Sequence, residues 1–268
     1  MTTPIFERAG ERFVATDVAR GPWDAGSCHG GAPAALLATA IDATPALVPM
    51  QGVRLSYDIL RPVPTGRRLD LDVEVAREGK RVQALNATLV DTADGTELVR
   101  CRALRIRTGE VELPDDRPRP GAAPSPAPEA LERFPGLPWF EPEGFWQAVD
   151  VRFVSGMLGD PGEGIAWFRV VAPLADGLAI TPLGRAAAAG DFGNGIGAPV
   201  PMGPYRYVNP DLTIDLHRLP EGEWVALTAN SVAEPTGVGL ATSVLADRRG
   251  VIGSALQSLY VDAGSSGS

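Results

Sequence analysis

Gln257 is the first candidate for chemistry, because a neutral amide interrupts a segment of alternating apolar residues. It alternates with Ala255 and Leu259, so in a strand these three side chains share one face. If that face is buried, the amide needs hydrogen-bond partners and is suited to hold a polar group in a closed site. The alternation also permits the opposite orientation, with Leu256 and Tyr260 inward and the amide toward solvent.

Asp211 is the second candidate, at the start of a strand-like segment after Asn209-Pro210. One interpretation is a carboxylate that accepts hydrogen bonds from N–H groups of the turn. The other is a general base that takes a proton from a water molecule attacking a carbonyl carbon, a role worth about 10²- to 10⁴-fold in rate. A nearby Gln257, holding the water or the carboxylate in line, favours the second interpretation.

The oxyanion formed by such an attack needs hydrogen-bond donors, and the N terminus of a buried helix offers unpaired N–H groups with a favourable dipole. Gly30 and Gly31 precede an apolar helix and allow a carbonyl group to approach closely, although a tight turn would use the same pair. Asp191 and Asn194 follow a second helix. We expect them to line the pocket, with Asn194 as a further donor.

Cys28 and His29 are adjacent, which invites comparison with a nucleophile and its base. Adjacent side chains in an extended segment point apart, and neither residue has a visible third partner. We therefore interpret His29 and His217 as structural. Cys28 and Cys101 lack metal-ligand spacing, so the sequence implies no metal site and no other cofactor.

The composition excludes some classes of partner. The chain has 268 residues and a net charge of −9, which disfavours nucleic acid because a basic surface is missing. Residues 51–107 differ, with 11 basic against 8 acidic residues; an anionic small molecule could bind there, although solvent-facing arginines explain the excess equally well. There is no apolar run of about 18 residues and no signal-like N terminus, so we expect a cytoplasmic protein without a membrane span.

Two similar series of elements must position these residues. Residues 30–41 predict a helix that is apolar on nearly every side, and such a helix must be buried. A second helix of small residues begins at Thr181-Pro182, with threonine as N-cap. Alternation and turn signals predict strands at 53–60, 69–75, 82–90, 97–107, 149–154, 165–171, 212–216, 224–232, 239–245 and 252–261.

A proline-rich stretch separates the two series. We expect an N-terminal unit at 1–109, an extended surface linker at 110–144, a C-terminal unit at 145–262 and a flexible tail at 263–268. The units align with a shift of 157 residues, as in Leu55 with Leu212 and Asp58 with Asp215. The sequence therefore predicts an α+β fold made of two copies of a helix followed by an antiparallel meander.

Several short motifs, in their order and spacing, resemble the acyl-CoA thioesterase II (TesB-like) family and its thioesterase-like relatives. They are Gly30-Gly31, Leu60-Arg61-Pro62, Arg77-Glu78-Gly79, Asn209-Pro210-Asp211-Leu212-Thr213, His217-Arg218, Glu223-Trp224, Asp247-Arg248-Arg249-Gly250 and Gln257. The resemblance covers nearly the whole chain except the linker and the tail. It implies a double hotdog, in which the two units form one continuous curved sheet around two central helices.

The resemblance also implies hydrolysis of an acyl-CoA by activated water, using an Asp/Thr/Gln constellation in the second hotdog. The aspartate falls on Asp211 and the glutamine on Gln257. The place of the threonine is held by Val232, which leaves Ser231 or Thr228 as substitutes. A further implication is that the CoA phosphates bind arginines of the first half, for which the candidates are Arg54, Arg61, Arg77 and Arg81.

Two alternative functions remain open. Loss of the threonine is compatible with a non-catalytic protein that binds acyl-CoA or lipid. A hotdog hydratase or dehydratase is less favoured, because that chemistry typically pairs an Asp with a His, and neither His29 nor His217 lies near a candidate carboxylate in the sequence. Homo-oligomers of the double hotdog are compatible with the sequence, which leaves the oligomeric state open.

Overall fold

The computed structural model describes residues 3–24, 26–136 and 144–263. Residues 137–143 of the predicted linker and 264–268 of the predicted tail lie outside these ranges. The helices are α1 (Gly31–Ala43), α2 (Phe145–Ala148), α3 (Pro182–Gly190) and α4 (Gly193–Ile196). The strands are β1 (Phe6–Ala9), β2 (Arg12–Ala15), β3 (Met50–Ile59), β4 (Arg68–Arg77), β5 (Val82–Asp91), β6 (Glu97–Arg107), β7 (Val149–Ser155), β8 (Gly164–Val170), β9 (Tyr205–Val208), β10 (Asp211–Leu216), β11 (Val225–Ala233), β12 (Val238–Asp247) and β13 (Gly250–Ala263).

The described strands form one antiparallel sheet. Its order is β1-β2-β4-β5-β6-β3-β10-β13-β12-β11-β8-β7, and β9 pairs with the end of β13. Each half thus contributes a meander, and the halves join where β3 pairs with β10. The predicted α+β class and antiparallel meanders are confirmed.

The junction between the halves lies at the centre of the internal repeat. Ser56 in β3 is directly opposite Thr213 in β10, and their hydroxyl oxygens are 3.2 Å apart. These two residues are 157 positions apart, which is the shift that aligns the two copies. Because equivalent residues of antiparallel strands face each other only on a two-fold axis, the copies are related by an approximate two-fold axis at this pair.

Helix α1 is enclosed on nearly all sides. Ten of its 13 residues are buried, and no polar stripe is present along it. A helix that is apolar on all sides is stable only when it is packed against other elements on all sides. Although α1 is the longest described helix, neither it nor any other described helix is long and apolar enough to cross a membrane.

Helices α1 and α3 pack against each other in antiparallel orientation. Gly31 lies at the carbonyl oxygen of Ala188, whereas Gly184, at the other end of α3, lies at Thr39 and at the carbonyl oxygen of Ala35. Small residues permit this close approach of the two backbones. As a result, the first turn of α1 meets the last turn of α3.

Part of the proline-rich stretch packs on the second half of the sheet, which differs from the expected extended linker. The indole N–H of Trp167 donates to the carbonyl oxygen of Pro126 (3.1 Å), and Arg152 donates to that of Pro128 (2.8 Å). The N–H of Val251 donates to the carbonyl oxygen of Gly121 (2.9 Å). Proline removes donors from this segment but keeps its acceptors, and the sheet supplies the donors.

Candidate active site

A cavity of about 360 Å³ lies beside the first turn of α1 and the last turn of α3. Both halves of the chain line it. The residues that matter below are His29, Gly30 and Arg61 from the first half and Asp191, Asn194, Arg206 and Asn209 from the second.

Asp191 is the C-cap of α3, and its side chain is only 4% exposed. Its Oδ1 accepts hydrogen bonds from Nδ2 of Asn209 (2.9 Å) and Nε2 of Gln257 (3.4 Å). Its Oδ2 lies 3.0 Å from Nδ1 of His29. Among the described residues, no lysine or arginine forms an ion pair with this carboxylate. Asp191 is therefore a buried carboxylate that borders a cavity and is held by neutral amides and an imidazole.

Gln257 supports Asp191 from the sheet. It is 1% exposed on β13, its Oε1 accepts from the N–H of Asn194 (3.1 Å), and its Nε2 donates to the backbone oxygen of Asp191 (3.3 Å). Leu256 and Tyr260 face outward, 43% and 58% exposed. Of the two orientations that the alternation permits, the structure has the one that turns the amide inward.

Asn209 joins the same network, although the sequence analysis treated it only as part of a turn. Its Oδ1 accepts from Nδ2 of Asn194 (3.2 Å), while its own Nδ2 donates to Asp191. A hydroxyl group was expected beside the aspartate and glutamine. The structure brings the carboxamide of Asn209 to that place instead, at the entrance to β10.

His29 meets Asp191 because the two helix ends meet. Its ring packs beside Phe145 (centroids 5.0 Å apart, planes at 27°) and Phe192 (4.5 Å, 32°), whose own centroids are 5.8 Å apart. Its Nδ1 is 3.0 Å from the N of Gly31 as well as from Asp191. His29, for which a structural role was expected, therefore lines the cavity in contact with Asp191, and adjacency in the sequence could not reveal this contact.

The glycine pair is needed for close approach rather than for an unusual backbone conformation. Gly30 has an ordinary helical φ of −57°. A Cβ at Gly30 would lie 2.7 Å from Oδ2 of Asp191, and one at Gly31 would lie 2.8 Å from the carbonyl oxygen of Ala188. The N–H of Gly30 has no hydrogen-bond partner among the described residues and borders the cavity.

The other residues expected to be catalytic lie elsewhere. Leu212 and Ile214 of β10 face the core, so the side chain of Asp211 is on the opposite face, where it accepts a hydrogen bond from the N–H of Ser258 (2.6 Å). Ser231 is buried in β11, whereas Thr228 alternates with it on the other face. None of Asp211, Ser231 and Thr228 lines the cavity.

The candidate arginines divide in the same way. Arg61 lines the cavity, and its guanidinium donates to the carbonyl oxygen of Leu60 (2.9 Å). Arg54, Arg77 and Arg81 are exposed and do not line it.

Arg206 also lines the cavity and was missed because it lies in a glycine- and proline-rich segment without a clear pattern. The pKa of Asp24 is lowered by hydrogen bonds from the N–H of Gly26 and the hydroxyl of Ser27, and the charge of Arg206 adds to this effect. Arg206 and Arg61 therefore place positive charge at the same cavity.

Cys28 lines the cavity but does not have the chemistry of a nucleophile. Burial raises the pKa of its thiol to about 12, so the thiolate that would attack is nearly absent at neutral pH. Within the described ranges, no three side chains of His, Cys, Asp and Glu are grouped as a metal site would require.

An acyl-CoA thioesterase C-terminal domain matches residues 118–261, and an acyl-CoA thioesterase N-terminal domain matches residues 19–106. Comparison with curated protein sequences gave no match.

Solved structures share the fold. A hot dog fold protein from Alicyclobacillus acidocaldarius has a TM-score of 0.72 at 17% identity, covering 96% of each chain. A thioesterase from Novosphingobium aromaticivorans has 0.69 at 20%, covering 96% of this chain and 98% of its own. A thioesterase II from Thermobifida fusca has 0.67 at 17%, covering 96% and 95%. The predicted hotdog fold is confirmed.

Proposed function

Because the chain belongs to the acyl-CoA thioesterase family, we propose that it hydrolyses an acyl-CoA to a free acid and CoA, with Asp191 as the general base. The observation that carries this proposal is the buried carboxylate of Asp191, which borders the cavity and has no cationic partner among the described residues except the imidazole of His29. The amide donors of Asn209 and Gln257 fix the carboxylate without placing a full positive charge beside it.

In this mechanism Asp191 takes a proton from water as the water oxygen attacks the thioester carbon. Asn209 and Gln257 keep the carboxylate fixed through their amide donors. The carbonyl oxygen, which gains negative charge, binds at the first turn of α1, where the N–H of Gly30 is unpaired among the described groups. Collapse of the intermediate breaks the C–S bond and releases CoA as the thiolate.

The two buried helices act in this proposal as the central helices of a double hotdog, with α1 supplying the oxyanion donors and α3 the base. Arg61 and Arg206 bind the CoA phosphates, because both line the cavity. Guanidinium groups bind phosphate oxygens in a bidentate manner. The arginines at 54, 77 and 81 do not line the cavity and have no role in the proposed CoA binding.

The test is thiol release from a panel of acyl-CoA esters. Asp191→Asn should reduce kcat by about 10²-fold or more, since the base is lost. Asp211→Asn is the matched control, because it makes the same chemical change outside the cavity. If Asp211→Asn abolished turnover and Asp191→Asn did not, Asp211 would be the base. Tight binding of acyl-CoA by the wild type without thiol release would instead indicate a non-catalytic binding protein.

A hydratase is the second candidate function, because the structure supplies the pairing of a histidine with an aspartate that the sequence did not indicate. In the sequence neither histidine lies near a candidate catalytic carboxylate, yet in the structure Nδ1 of His29 lies 3.0 Å from Asp191. Such a pair could add water to a carbon–carbon double bond by acid and base steps. Loss of enoyl-CoA absorbance without thiol release would support the hydratase and exclude hydrolysis as the main reaction.

A further inference from the structure

Nδ1 of His29 lies next to two groups that form a hydrogen bond with it in opposite protonation states. Nδ1 is 3.0 Å from Oδ2 of Asp191 and 3.0 Å from the N of Gly31. A ring nitrogen that carries a proton donates to the carboxylate but cannot accept from the N–H. A bare nitrogen accepts from the N–H of Gly31 and has no proton to donate to the carboxylate.

Aromatic rings and fixed groups surround the imidazole. Phe145 and Phe192 pack beside it, with centroids 5.0 Å and 4.5 Å from its own and 5.8 Å from each other. Asp191 is fixed by Asn209 and Gln257, and the backbone of Gly31 is pressed against α3 at Ala188. The position of one proton therefore decides which hydrogen bond forms.

We propose that His29 is a positioning residue that carries a proton on Nδ1 during turnover. The proton is donated to Asp191, and this hydrogen bond holds the carboxylate in place. When Nδ1 is bare, it accepts from the N–H of Gly31 instead, and Asp191 loses this donor. This inference rests on the proposed thioester hydrolysis.

The charges around the ring favour the protonated Nδ1. Asp191, at the end of α3, is the ionisable group in contact with it. Phe145 and Phe192 are uncharged, and the neighbouring Cys28 is a neutral thiol because burial raises its pKa to about 12. The other charged side chains at the cavity are Asp24, Arg61 and Arg206.

Two substitutions separate the nitrogens of the ring. In His29→Asn the amide NH₂ is a δ atom, near the position of Nδ1, and it can donate to Asp191. In His29→Gln the amide is one bond further out. We expect kcat for thiol release to fall about 10- to 100-fold in His29→Gln, as for loss of a hydrogen bond to a charged group. His29→Asn should restore most of it, with little change in KM in either variant.

The control is His217→Asn, because His217 is exposed and is the other histidine of the chain. Activity retained in His29→Gln but lost in His29→Asn would show that Nε2, and not Nδ1, is the nitrogen that turnover requires, and would overturn the proposal. Equal loss in both variants, with folding intact, would also overturn it.

The nitrogen-15 NMR spectrum tests the same proton without any substrate. With two histidines in the chain, His217→Asn assigns the His29 signals. We expect a protonated Nδ1 in the wild type and a bare Nδ1 in Asp191→Asn. A bare Nδ1 in the wild type contradicts the inference. If no acyl-CoA releases thiol, the proposed function fails, whereas the NMR result still decides the state of His29.

Discussion

Gly30 and Asp191 touch across the two helix ends, so that a Cβ on residue 30 would lie 2.7 Å from the carboxylate oxygen Oδ2. The carboxylate cannot yield freely, since Asn209 and Gln257 hold its other oxygen. Gly30→Ala should therefore displace the proposed base. We expect kcat for thiol release to fall about 100-fold, as misplacement by about 1 Å can cause.

Gly26→Ala is the control in the same loop, because the nearest atom to its new Cβ would be Oδ1 of Asp24 at an ordinary 3.7 Å. It should keep kcat within about threefold of the wild type, in line with the small effect of most surface substitutions. Full activity in Gly30→Ala would show that the position of Asp191 does not limit the reaction.

Gln257→Met removes the buried amide while keeping the length of the side chain. It leaves the N–H of Asn194 and the backbone oxygen of Asp191 without their partner, which should cost about 1–3 kcal/mol of stability. We expect kcat to fall by at least about tenfold as well, because Asp191 loses a donor. The same change at the exposed Gln147 is the comparison for both quantities. A loss of stability with kcat unchanged would make Gln257 purely structural.

Gly184→Ala tests the contact between the two helices by chemical denaturation. The new methyl group would meet Oγ1 of Thr39 and lie 3.2 Å from the carbonyl oxygen of Ala35. Overpacking of this kind costs about 1–3 kcal/mol, and the better helix propensity of alanine returns about 1 kcal/mol. The free energy of unfolding should therefore fall by up to about 2 kcal/mol. Gly109→Ala, which meets no atom within 4 Å, should leave it unchanged.

Asp247 predicts a dependence of stability on pH. It is fully buried and accepts hydrogen bonds from the guanidinium of Arg218 and from the N–H groups of Glu221 and Arg249, both at 2.8 Å. Burial alone would raise its pKa, but these donors outweigh burial and lower the pKa. A lowered carboxyl pKa contributes stability above the unfolded value of about 3.9, and this contribution is lost as the pH falls through the folded pKa.

The measurement is the free energy of unfolding of the wild type and Asp247→Asn between pH 3 and 7. The variant should be less stable by about 3 kcal/mol at pH 7, because Arg218 is left without its partner. The difference should shrink below pH of about 4. Asp70→Asn removes an exposed ion pair with Arg12 and should change stability by less than about 1 kcal/mol. A difference for Asp247→Asn that is constant with pH would contradict the assignment.

The elements were largely predictable from local patterns. The strand at 97–107 and the Thr181 N-cap of α3 lie where periodicity and capping place them, because alternation and helix caps depend on near neighbours in the chain. Strand β9 was not predicted. It is four residues long within a segment rich in glycine and proline, and it exists because the end of β13 pairs with it.

The site was predictable only in part. Gln257 was found because a polar residue on a buried face needs a partner. The contact between His29 and Asp191 was not predicted, because it depends on the antiparallel packing of two helices. No local pattern in the sequence encodes that packing. Asp211 was predicted as the base from motif order and Asp191 only as a residue lining the pocket, yet the alternation of β10 turns Asp211 to the outer face.

The two-fold axis at Ser56 and Thr213 has a consequence for stoichiometry. A shift of 157 residues relates Asn209 to Gly52. On the adjacent strands, Leu256 is opposite Thr213 and Arg102 is opposite Ser56, so the two are equivalent positions. The next residues, Gln257 and Ala103, are therefore equivalent as well. The position related to the candidate site by the two-fold axis thus has a glycine and an alanine in place of the two amide side chains. A symmetric ancestor would have carried two equal centres, whereas this chain should bind and turn over one substrate per polypeptide.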